Sequence, residues 1–131
     1  MYSTSAVQPI AAAVLLILII AAAALNTAHI QALTADVSRD LTRSQEAALS
    51  GDMEAAMESY QAALSRWQRE RNYCNVFIRH PELDASYDTF YELEETLLSG
   101  DTDSLPAAYS KLIYHLDCIA YMERPSCGSI F

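Results

Sequence analysis

The chain has 131 residues, 52% of them hydrophobic, and its 17 Asp and Glu against 8 Lys and Arg leave a formal net charge of −9. That acidity disfavours nucleic acid and anionic lipid surfaces as partners, because both repel it. Three Gly and four Pro, with few runs of alternating β-branched residues, argue against a sheet and for an all-α protein.

Ile10–Leu25 reads IAAAVLLILIIAAAAL, without a polar atom in any side chain. As a helix this run is about 24 Å long, and Ala6, Val7 and Ala28 extend it toward the roughly 30 Å of a bilayer core. Its Leu, Ile and Val residues supply ~3–5 kcal/mol of insertion free energy at central positions. The expectation is a single transmembrane anchor over residues 1–28, in contact with membrane lipid through Ile10–Leu25. A cleaved signal peptide is the competing reading: the small residues in Ala22–Leu25 favour it, but Met1–Gln8 contains no Lys or Arg; a buried helix of a soluble domain is a third reading, though nothing downstream needs so apolar a partner.

All charged residues lie beyond Leu25, in a segment long enough for one core. Pro9 suits the first position of the helix, and no Pro or Gly interrupts the chain from there to Ser50. Ile30, Leu33, Val37, Leu41 and Ala48 continue one apolar face, so the membrane helix runs into an acidic domain over residues 29–131. Ser50-Gly51-Asp52 stops it, with Gly in the left-handed position after the helix and Asp capping the next one.

The second helix is expected from about Asp52 to Arg79, with Met53, Ala56, Tyr60, Leu64, Trp67, Cys74 and Phe77 or Ile78 inward. His80-Pro81 ends it, since the residue before Pro is pushed out of the α region. Pro81 opens a third helix, with Leu83, Tyr87, Phe90, Leu93 and Leu97 along one side, and Ser99-Gly100-Asp101 closes it. A fourth, from about Ser104 to Met122, buries Leu105, Tyr109, Leu112, Leu116 and Ile119. The recurrence of Leu49-Ser50-Gly51-Asp52 as Leu98-Ser99-Gly100-Asp101 suits two helical hairpins, tetratricopeptide-like in flavour. A good joint used twice by chance explains it equally well. Either way the segment reads as a small four-helix domain with short connections.

The chain from Trp67 to Phe131 resembles a family of small bacterial membrane proteins common in spore-forming Gram-positive bacteria, catalogued as domain of unknown function 4363. The matching features are the N-terminal membrane helix, the mid-chain Trp67, Phe77-Ile78-Arg79-His80-Pro81-Glu82-Leu83-Asp84, the acidic joint at Gly100-Asp101, and the ending Glu123-Arg124-Pro125-Ser126-Cys127-Gly128-Ser129-Ile130-Phe131. Family members commonly begin with Lys or Arg, which this chain lacks. The resemblance implies architecture, with a short inside N-terminus and an outside domain, and supplies no activity.

Chemistry-bearing residues are sparse. The three glycines stand singly, which excludes a nucleotide loop, and no HExxH or paired CxxC occurs. Cys74, His80, His115 and Cys118 have metal-ligand side chains, but only His115 and Cys118 share a helix face. A half-buried Cys and a His near a helix end describe them as well. Cys118 and Cys127 could bridge if the tail folds back, and three free thiols are the alternative.

Glu82 and Asp84 in the first turn after Pro81 are what a helix start favours, and with His80 they also form a polar patch able to meet a partner. The surplus of Tyr implies that some face outward, where aromatics suit protein recognition, while Tyr60, Trp67, Tyr87 and Tyr109 fill the core. Ile130-Phe131 is either a fold-back onto the helices or a short peptide offered to another protein.

These features together describe a membrane-tethered helical interaction module without a cofactor or catalytic activity. It would sit in the cell membrane, docking another membrane or envelope protein; Arg39 and Arg43 after the helix, with no Lys or Arg before it, point the domain inward, while the family resemblance implies the extracytoplasmic face, which is the expectation taken. The candidate partner-binding residues are His80, Glu82, Asp84, Ile130 and Phe131. A self-associating structural component, homo-oligomeric through its long first helix, is the alternative; a metal- or thiol-dependent sensor is a third.

Overall fold

The computed structural model describes residues 3–122, with side chains from residue 5 onward. The described residues form five helices and no strand: α1 (Ser3–Leu49), α2 (Met53–Arg69), α3 (Arg71–Phe77), α4 (His80–Ser99) and α5 (Leu105–Met122). The protein is all-α.

α1 is one uninterrupted helix of 47 residues, about 70 Å long at 1.5 Å per residue. Its first half is unburied: every described side chain from Ser5 to Leu25 is exposed. The most apolar stretch has a mean hydropathy of 2.5 with none of it buried, long and apolar enough to cross a membrane. The first buried side chain is Ile30. Pro9 lies inside α1 and not at its start, because the helix begins at Ser3. Pro removes one backbone donor, a loss that apolar membrane helices tolerate better than soluble ones.

From Ile30 to Leu49, α1 packs antiparallel against α2, and α4 and α5 form a second antiparallel hairpin. α5 returns to α1 and α4 lies on α2, so four helices enclose one core. Trp67, Tyr60, Tyr109 and Phe90 are its largest fully buried side chains, with Ile30, Val37, Leu41, Leu93, Leu112, Leu116 and Ile119 between them. Each such aliphatic or Phe side chain contributes roughly 1.5–3 kcal/mol by leaving water. Ala48, Met53 and Tyr87, expected inside, are half-buried at the edge of this core. Of the pair Phe77 and Ile78, Ile78 is the buried one.

The buried polar groups tie helices together in pairs. Tyr60 donates to the Phe90 carbonyl (2.7 Å) and Trp67 Nε1 to Ser86 Oγ (3.0 Å), joining α2 to α4. Tyr109 Oη lies 2.6 Å from Ser44 Oγ, which itself donates to the Ala56 carbonyl at 2.6 Å. Because Ser44 spends its proton on Ala56, the Tyr109 hydroxyl must be the donor between the two.

Both glycine joints have the expected form. Gly51 (φ 87°) and Gly100 (φ 73°) occupy the left-handed region. At the first joint Asp52 N–H bonds the Ala47 carbonyl and Gly51 N–H the Ala48 carbonyl, the paired closure of a Schellman motif. Asp52 then accepts from Ala55 N–H at 3.1 Å as the α2 cap.

The expected continuous helix from Asp52 to Arg79 is broken. It turns at Glu70 (φ −94°, ψ 13°) and ends at Phe77, with Ile78 extended. No Gly or Pro marks Glu70. What distinguishes the place is contact on two sides: Tyr73 reaches back to α1, while the Arg71 guanidinium sits 5.2 Å from the Tyr87 ring of α4. The extended pair ahead of α4 is Ile78-Arg79, so His80 is already helical.

Candidate functional site

The first turn of α4 carries three of the residues singled out from sequence. His80 and Asp84 are exposed, and Glu82 is half-buried. Only Glu82 has a tertiary partner: its backbone carbonyl accepts from His115 Nε2 of α5 at 3.1 Å, and its carboxylate lies 3.9 Å from the same nitrogen. A carbonyl has no proton to give, so the His115 proton is assigned to Nε2. His80 and Asp84, four residues apart, lie on one face of the turn, and Glu82 leaves it on another.

Cys74, His80, His115 and Cys118 do not gather on a common point. Among the described residues no three His, Cys, Asp or Glu side chains approach a shared centre. Cys74 is fully buried, and burial, followed by the nearby Glu70 carboxylate, pushes its thiol up to about 11. A thiol held in that state is protonated at neutral pH and a poor nucleophile. Cys118 is half-buried on α5 as a free thiol. Cys127, Ile130 and Phe131 lie outside the described residues.

Within the helical domain, a run of exposed aromatic surface lies on α5. Leu112, Leu116 and Ile119 point into the core, and the residues two positions past each, Tyr114, Cys118 and Tyr121, fall about 200° around the helix, on the outer face. Tyr114 is 72% exposed, Tyr121 71% and the adjoining Met122 46%. A shallow depression of about 750 Å³ runs along this face, lined by Tyr114, Cys118, Tyr121 and Met122, with Glu82 and His115 on its α4 side. A smaller groove of about 200 Å³ adjoins it and shares Glu82 and Met122; Ile78, Arg79 and Ile119 complete its lining. Glu82 is therefore the one sequence-nominated residue that borders both.

The sequence carried a signal for this stripe. Once Leu105, Tyr109, Leu112, Leu116 and Ile119 are inside, helical phase alone puts Tyr114 and Tyr121 outside. A second cluster had no such signal. His29 of α1 packs on Tyr73 at 4.4 Å between ring centres, Tyr73 packs on Phe77 at 4.6 Å, and His29 Nε2 lies 3.2 Å from Glu70 Oε2.

The far end of the bundle carries a third depression of about 310 Å³, between the two glycine joints, lined by Ala48, Leu49, Leu105, Pro106 and Tyr109 among others. Its residues bring apolar surface and no convergent charge. No family model, curated protein or solved structure matches the chain.

Proposed function

We propose that this protein is a single-pass membrane protein whose helical domain is a docking module for another membrane or envelope protein, with no chemistry of its own. The observation that carries the reading is the outer face of α5. Tyr114, Tyr121 and Met122 are large side chains with both apolar area and, for the tyrosines, a polar tip. They share one helix face beside a depression bordered by Glu82 and His115. Aromatic anchors around a concave strip, edged by a few polar groups, are the composition of protein interfaces. The unburied apolar half of α1 supports the membrane anchor. The resemblance to a family with a short inside N-terminus supports an extracytoplasmic domain.

The test is crosslinking in cells with the full chain tagged at its N-terminus, compared with Y114S/Y121S. Both tyrosines are exposed, so the double variant retains the core. A specific co-purifying protein present with the wild type and lost with the variant is the expected result. Recovery of the same proteins from both overturns the α5 face. Recovery of this chain alone, equally from both, replaces the docking module with a self-associating component.

A further inference from the structure

The end of the domain nearest the apolar run is fixed by three contacts between antiparallel helices. Arg66 Nε donates to Asp40 Oδ2 at 3.1 Å, Glu70 lies 3.2 Å from His29, and the Tyr73 hydroxyl donates to the Asn26 side chain. Every step along α2 and α3 is thus a step back down α1, and Asn26 is the residue next to Leu25. Val76 and Phe77 follow one turn beyond that contact, on the side of the apolar run. α4 departs in the opposite direction from His80, while α5 passes Ser44 at Tyr109, near its start, and descends until Ile119 and Met122 lie beside Ile78 and Arg79. The last turn of α3, its joint with α4 and the end of α5 therefore form the end of the described domain that faces the apolar run.

That turn displays apolar side chains next to basic ones. Val76 is 74% exposed and Phe77 45%, although both are apolar. Between Arg66 and Arg79 the sequence holds four arginines and one acid, Glu70, in a chain of net charge −9. The opposite end, around the two glycine joints, carries Glu46, Asp52, Glu54, Asp101 and Asp103 instead.

We infer that the α3 end is a second membrane contact: Val76 and Phe77 enter the boundary between headgroups and acyl chains in the leaflet from which α1 emerges, while Arg79 reaches the lipid phosphates. Apolar side chains at that depth replace water with hydrocarbon, and an aromatic beside an arginine suits the interface, where long cationic side chains extend toward the headgroups. The overall acidity does not oppose this, because the charge facing the lipid is the local one and distant carboxylates are screened. This inference rests on the reading of α1 as a membrane span, and it deepens that reading: the domain lies against the bilayer at a fixed height and does not stand off it.

The experiment reconstitutes the full chain into phosphatidylcholine vesicles containing a minor share of phosphatidylglycerol, with lipids brominated either high on the acyl chain or at its middle. Tryptophan emission is read for the wild type, F77W, V76W, I17W and Y91W; Trp67, fully buried, is common to all. V76W guards against misfolding, since position 76 packs on little. Tyr91 lies on α4 far from the apolar run and is the control. The expected result is loss of emission by F77W and V76W with the shallow bromines, loss by I17W with the deep ones, and no loss by Y91W beyond the wild type. Quenching of I17W with F77W and V76W no different from Y91W overturns the inference and leaves the anchor standing. An unquenched I17W overturns the anchor and, with it, the second contact.

Discussion

The Tyr109–Ser44–Ala56 chain lets one prediction be worked through from structure. Tyr109 and Ser44 are both 0% exposed, and their contact is the buried polar link between α5 and α1. Tyr109→Phe removes one neutral hydrogen bond, yet Ser44 keeps its bond to the Ala56 carbonyl, so the cost is about 1 kcal/mol. Ser44→Ala is worse, because it strands the Tyr109 hydroxyl in the core without an acceptor, a penalty of about 2 kcal/mol. The double variant removes donor and acceptor together, so its cost falls below the sum of the singles by about 1 kcal/mol. The assay is urea unfolding of the full chain in detergent, followed by Trp67 emission. Trp67 is the only Trp and is fully buried, so its signal reports the domain alone. Costs that add within about 0.3 kcal/mol would refute the network, since independent sites add to that tolerance.

Gly51→Ala and Gly100→Ala each meet open space at the new Cβ, so only the left-handed backbone is penalised. Each should cost about 1 kcal/mol, and the two together should add, lowering Tm by about 4–8 °C per substitution for a domain of this size. Equal stability of either variant would show that its joint is not left-handed. Cys74 titrates at 9.0 when unfolded and is pushed up to about 11 in the fold, so its contribution is complete below pH 9 and is lost as pH rises through 11. Unfolding free energy should therefore fall across that window, and Cys74→Ala should delay the fall until Tyr60, whose free phenol titrates at 10.0 and is raised by burial, takes over. A flat profile to pH 11 in the wild type would contradict the burial of Cys74. In a Cys127→Ser background, a membrane-impermeant maleimide on intact cells should label half-buried Cys118 and spare Cys74; labelling only after lysis would place the domain inside.

Helix existence and the core were legible because they follow from period alone. Ile30, Leu33, Val37 and Leu41, and likewise Leu112, Leu116 and Ile119, repeat at helical spacing, and all are buried. The Ser-Gly-Asp joints were legible because Gly is the residue that takes positive φ without cost. The break at Glu70 was not, since nothing in Arg69-Glu70-Arg71 disfavours helix. It is set by Tyr73 meeting Asn26 and Arg71 meeting Tyr87, contacts that exist only once α1 and α4 are in place. The patch around His80, Glu82 and Asp84 was half legible: residues two apart on a helix diverge, so only Glu82 could border the α5 face. Tyr114 and Tyr121 followed from phase, but the concavity beside them depends on where α4 begins.

The continuity of α1 ties the anchor to the α5 face. No Gly or Pro lies between Pro9 and Leu49, and the helix enters the core at Ile30, one turn after Asn26. A flexible linker would let the domain sample many heights and angles, with a corresponding loss of effective concentration at a partner in the same membrane. An unbroken helix packed on α2 and α5 restricts those freedoms before any partner arrives. The Tyr73–Asn26 and Glu70–His29 contacts brace that exit from a second side. If α1 spans a membrane as proposed, the surface presented by Tyr114 and Tyr121 is held at a set distance from the lipid, and only a partner of matching height meets it. On this reading the long first helix contributes to recognition as well as to anchoring, because preorganisation reduces the entropy that docking must overcome.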